Sequence, residues 1–232
     1  MRPALEDIST MAIAAVVAAI SGAVLIVLMP LALAVQPGAQ FAWYAARAAG
    51  MLAYVLAATS VVFGIATSTK LGSRLLGKSN VADVHRSLSL LCLLAIGAHT
   101  LFLGLDQYAS FSLSELFIPF VTWYRPIWTS LGIIAAYLAF AVYVSFYLRP
   151  VIGYKAWRSF HYLAFAVFGL GTVHGILTGT DTHSSWALGI YGVSTLAILV
   201  MLVYRISLRQ HSTVPIRVDT ALRRTAEGSP GN

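Results

Sequence analysis

The chain has 232 residues, 59% of them hydrophobic and 10% charged, with a mean hydropathy of +0.80. A soluble domain of this length has too little interior to hide so much apolar surface, so composition excludes a soluble globule and points to an all-α integral membrane protein. The formal net charge of +7 reads as a topology signal with some attraction to anionic lipid. Nucleic acid is excluded as a partner, because no soluble basic and aromatic array accompanies the charge.

In chain order, residues 1–10 form a short N-terminus, and apolar stretches follow at about 11–35, 42–66, 84–105, 127–147, 159–178 and 185–206. Each meets the requirement of about 20 residues for a spanning helix, which makes six helices over 11–206. Ala32-Leu33-Ala34 in the first stretch has the look of a small-residue cleavage site. Its apolar region is long and Glu6 and Asp7 outweigh Arg2, so a span is expected and cleavage is the alternative. Residues 207–232, with Pro215, Pro230 and scattered arginines, are expected to be a flexible basic tail.

With both termini cytoplasmic, thirteen of the fifteen basic residues fall inside and only Arg47 and Arg125 fall outside, the distribution of a multi-pass plasma-membrane protein. Trp43, Tyr44, Trp123, Tyr124, Trp128 and Trp186 would mark the outer interface, and Tyr147, Tyr154, Trp157 and Tyr204 the inner one.

Four of the six histidines lie on the third and fifth spans as two pairs, His85 with His99 and His161 with His174, 14 and 13 residues apart. At about 1.5 Å per residue each pair is separated by roughly 20 Å, which puts one imidazole toward each side of an apolar core about 30 Å thick. Spans two crossings apart run in the same direction. His85 and His161 therefore share the inner level and His99 and His174 the outer, the arrangement that bis-histidine haems would need. A hydrogen-bonding core histidine is the plainer reading of any one of them, but ionisable groups inside spans default to function.

Phase supports the third span, where 14 residues return within about 40°, and not the fifth, where 13 residues land about 140° away. Either a distortion of the fifth helix is expected, with Gly169 and Gly171 the favoured places, or its two histidines approach their haems from different tangents. Gly97, Gly169, Gly171 and Gly175 offer room for a flat ligand, or simply let helices approach closely. Arg86, Lys155 and Arg158 flank the inner histidines and suit carboxylates, while also serving the positive-inside rule. Arg47 and Arg125, on the side from which positive charge is otherwise excluded, have the stronger claim to an anionic partner.

These residues resemble the ferric reductase-like transmembrane domain shared by ferric reductases, NADPH oxidases and the haem-binding membrane subunit of the bacterial methionine sulfoxide reductase system. The matching pieces are Arg47-Ala48-Ala49-Gly50, Val84-His85-Arg86, Gly97-Ala98-His99, Tyr124-Arg125-Pro126, Trp157-Arg158-Ser159-Phe160-His161, Val173-His174 and Gly179-Thr180-Asp181, spread over about 40–205. The resemblance implies a six-helix bundle holding two b-type haems between helices 3 and 5 on His85, His99, His161 and His174, with electrons moving outward and Arg47 near the outer haem or its acceptor.

The larger members of that family continue into a flavin and nicotinamide domain. This chain ends about 26 residues after the sixth span without a glycine-rich dinucleotide fingerprint, so it is expected to take electrons from a partner: a cytoplasmic flavoprotein, an iron-sulfur protein or quinol. A flavin or quinone is left open as a further cofactor, and the acceptor is expected to be extracytoplasmic. The expected role is transmembrane electron transfer as an oxidoreductase component. The alternatives are a haem-bearing anchor of a larger complex and a non-redox permease using intramembrane histidines. His183 reads as a solvated loop residue able to touch an acceptor, His211 as a tail residue, Cys92 as packing, and Asp83 as a helix cap. Phe102, Phe165 and Phe168 read as packing beside the histidines.

Overall fold

The computed structural model describes residues 40–69 and 78–212, with side chains left aside at 78, 79 and 209–212. The expected first span (11–35), residues 1–10 and 213–232 lie outside the described residues, as do Lys70, Arg74 and His211's side chain. The described chain is helical: α1 (Phe41–Ala66), α2 (Lys78–Leu105), a short α3 (Leu113–Phe117), α4 (Pro126–Ile152), α5 (Tyr154–His161), α6 (Leu163–Thr178) and α7 (Ser185–Ser212). Taking α5 and α6 together as one crossing, five helical segments are long and apolar enough to cross a membrane, which makes this a membrane protein. They correspond to the expected second to sixth spans. α7 continues six residues past the expected boundary at 206, so the start of the tail is helical.

α1 is the spine. It packs along α2 on one side and touches α6 and α7 on the other, while α4 packs against α6. The buried apolar clusters lie on the α1, α6 and α7 side: Tyr54 with Ala187 and Tyr191, and Ala58 with Ile65 and Ile198. Tyr54 joins these helices directly, with ring centroids 4.8 Å from Tyr191 and 5.5 Å from Phe168. α2 and α6 lean on the same spine, yet neither α5 nor α6 is among the helices α2 packs against. Directly packed helices approach to about 8–10 Å; here a gap separates the two, walled by α1 and α4.

Local sequence sets the helix ends. Pro126 opens α4 at a position where its missing N–H costs nothing. Gly153 closes α4 at φ +80° and ψ 156°, a conformation essentially reserved to glycine, and re-aims the chain into α5. The expected distortion between His161 and His174 is present, but at Tyr162 rather than at Gly169 or Gly171. There Tyr162 N–H donates to Ser159 O (3.3 Å) and Phe165 N–H to Tyr162 O (3.1 Å). These three-residue spacings wind at about 120° per residue instead of about 100°, so one such turn removes about 60° of the phase mismatch. Gly169 and Gly171 lie in regular helix, and a Cβ on either would meet nothing within 4 Å.

Candidate functional site: two facing histidine pairs

The imidazoles of α2 bridge the gap to those of α5 and α6 at two levels. The rings of His85 and His161 have centroids 5.9 Å apart, and those of His99 and His174 6.4 Å apart, crossing at 85° and 79°. A metal bound by both imidazoles at about 2.0 Å per nitrogen holds the ring centres about 6 Å apart.

Three of the four rings are oriented by the backbone of a neighbouring helix. Nδ1 lies 2.8 Å from Ser60 O in His85, 2.7 Å from Ala46 O in His99 and 2.9 Å from Trp128 O in His174. A carbonyl can only accept, so each Nδ1 carries the proton and each Nε2 keeps its lone pair, the tautomer a metal-ligating histidine needs. The accepting carbonyls are helical, already paired along α1 and α4, and a second donor reaches them only where the side-chain layer is open.

Glycine opens it, four residues on each time. A Cβ at Gly50 would stand 2.9 Å from His99 Nδ1, at Gly64 3.0 Å from His85 Cε1, and at Gly132 2.6 Å from His174 Nδ1. The same device thus recurs as Ala46 with Gly50, Ser60 with Gly64 and Trp128 with Gly132. Sequence reading looked for room in the glycines beside the histidines and missed these. The available signal was that Gly50 and Gly64 repeat on α1 the 14-residue interval of His85 and His99 on α2. Gly175 serves packing instead, since a Cβ there would meet the Tyr191 hydroxyl at 2.6 Å.

His161 departs from the pattern. Its Nδ1 is buried without a hydrogen-bond partner, and so is Nε1 of Trp157, whose ring stacks on His161 at 5.2 Å and 28°. Fourteen residues along α4 from Trp128 and Gly132 stand Val142 and Phe146. The Val142 carbonyl accepts from Ser145 Oγ (2.6 Å), and a phenyl ring occupies the place of a glycine.

Arg47 has an anionic partner within the chain. It pairs with Asp181 in the loop between α6 and α7 through the Nε–Nη2 edge of its guanidinium, Nε donating to Oδ2 at 2.8 Å and Nη2 to Oδ1, with both side chains 29% exposed. Arg125 caps a helix: its Nη1 donates to Leu177 O, and Tyr124 OH donates to Thr178 O (2.9 Å). Arg86 lies with its guanidinium carbon 4.9 Å from the centre of the Phe146 ring. Arg158 turns to Tyr154, donating to its hydroxyl at 3.2 Å, and Lys155 is exposed. His183 is exposed in its loop, and Cys92 is buried with Sγ 3.4 Å from Ala53 O.

Comparisons with protein-family models, with curated proteins and with solved structures return no match. Among the described residues no three His, Cys, Asp or Glu side chains gather as a metal site. Two facing imidazoles per level, three of the four fixed in tautomer, would instead suit a metal whose remaining ligands come with a planar macrocycle. The residues present fit haem on that count.

Proposed function

We propose that this chain is a membrane cytochrome b of ferric reductase-like type, a six-helix bundle that carries electrons between two haems held by His85 with His161 and by His99 with His174. The observation carrying this reading is the gap between α2 and α5–α6, bridged at two levels by facing imidazoles. When bound, haem b supplies a one-electron iron couple at each level.

The chain's own work is positional. Ser60, Ala46 and Trp128 carbonyls hold three imidazoles in the ligating tautomer, and Gly64, Gly50 and Gly132 leave them the room to do so. Apolar spans keep the rings dry. The positive-inside distribution sets His85 and His161 toward the cytoplasm of a multi-pass plasma-membrane protein with both termini inside. Electrons enter there from a flavoprotein, an iron-sulfur protein or quinol, and leave beside His99 and His174 to an extracytoplasmic acceptor. Arg86, Arg149, Lys155 and Arg158 give the entry side a basic rim suited to an acidic donor. Arg47, held by Asp181, would stand at the exit end near the outer haem or its acceptor.

The test is the absorption spectrum of the purified full-length chain from a haem-sufficient host. Two reducible b-type haems per chain are expected, falling to one on His99→Ala. A colourless wild-type chain that still binds protons or metal ions would instead favour a permease.

A further inference from the structure

The corner around Phe146 is built unlike the other three histidine supports. Phe146 receives two guanidiniums, Arg86 at 4.9 Å and Arg149 at 5.2 Å from its centre, and Trp157 packs on it at 6.2 Å. Arg149 also lies 5.6 Å from the Trp157 ring. Neither arginine has a carboxylate partner among the described residues, where the ion pair is Arg47 with Asp181. The buried Trp157 Nε1–H donor and the buried His161 Nδ1 stand in the same corner without hydrogen-bond partners. Buried donors left unmatched are expensive, by comparison with the pairing found elsewhere in folded chains. Two free cations beside them narrow the missing acceptor to an anionic oxygen.

We infer that Arg86, Arg149 and the Trp157 indole N–H form a clamp for a carboxylate of the haem held by His85 and His161; the inference rests on the two-haem reading above. The Trp157 ring stacks on the His161 imidazole, so a group held by His161 would have the indole N–H beside it. Both arginines open to water at the same end. Arg158, drawn to Tyr154, and Lys155 take no part.

The experiment uses the full-length chain and its Trp157→Phe and Arg149→Leu variants, each loaded with haem b or with haem b dimethyl ester. Haem content and the two midpoint potentials are read by optical potentiometry. With natural haem, both variants lower one midpoint and leave the other in place, because an uncompensated carboxylate favours ferric iron. Trp157→Phe also weakens retention of that haem about tenfold, the scale of one charge-assisted hydrogen bond. With the ester, the Trp157→Phe difference disappears while the wild type still binds two haems. A wild-type chain with two haems in which Trp157→Phe moves both midpoints or neither, or acts equally on the ester, overturns the clamp alone. A wild-type chain that binds no haem overturns the two-haem reading and the clamp with it.

Discussion

The two histidine levels share one plan and are finished differently. At the His99 and His174 level the polypeptide supplies every support: both Nδ1 atoms have backbone carbonyls, Arg47 is tied to Asp181, and the last carbonyls of α6 are met by Arg125, Tyr124 and Thr182. At the His85 and His161 level only His85 is supported in this way, and α5 approaches between a glycine hinge at 153 and a tightened turn at Tyr162. The contrast teaches that one end is completed by the chain, while at the other the buried Trp157 Nε1 and His161 Nδ1 have no hydrogen-bond partner and Arg86 and Arg149 have no carboxylate partner among the described residues.

Breaking the completed end should have the largest effect. On the proposed two-haem reading His174→Ala removes one of the two imidazoles that would ligate there, and the expected outcome is loss of one haem per chain with the other retained. Gly132→Ala should approach it, since the added Cβ collides with the His174 ring at 2.6 Å. Gly50→Ala and Gly64→Ala, at 2.9 and 3.0 Å, should follow in that order of haem loss, read by pyridine haemochrome content.

Gly153→Ala sharpens the contrast from the other side. Forcing a Cβ onto φ +80° costs about 1–3 kcal/mol; the expected result is a lower thermal midpoint, with spectral change confined to the haem of the His85 level. Asp181→Asn should cost about 1–2 kcal/mol by weakening the half-buried Arg47 pair. Here the change is expected at the His99 level, and rescue by a Glu at 181 would separate the charge from the shape of the loop.

The smallest effect is a pH dependence. The Ser112 hydroxyl and N–H and the Trp123 N–H all donate to the Glu115 carboxylate, which holds it below the usual carboxylate range. A carboxyl depressed on folding adds stability above the ordinary range, and loses it as pH falls through the lowered value. Glu115→Gln should flatten the acid side of a plot of thermal midpoint against pH and leave the neutral region alone.

Hydropathy made five of the spans legible because a membrane imposes length and apolarity on sequence directly. The sharing of levels by the histidines was legible as well, since spacing along parallel helices converts into height. The supports were not. Ala46 and Trp128 act through carbonyls, which every residue possesses, so nothing in their side chains marks them, and Ser60 adds a hydroxyl 3.1 Å from His85 Nδ1 that sequence spacing alone does not single out. The helix break at Tyr162 was misplaced to the glycines because no proline or glycine signals it; the turn tightens through backbone hydrogen bonds alone. Arg47 could be read as seeking an anion, but that the anion is Asp181 depends on how a loop returns, 134 residues later.

The 14-residue interval appears twice, in His85 and His99 on α2 and in Ser60 and Ala46 on the antiparallel α1. Two rods graduated alike and laid head to tail act as a vernier: their marks coincide at two heights about 21 Å apart, and slippage by one residue would turn each mark about 100° away. The distance an electron must cross would then be a register, held by α1 and α2 together, and mutations inside that interval would leave it untouched unless they added or removed a residue.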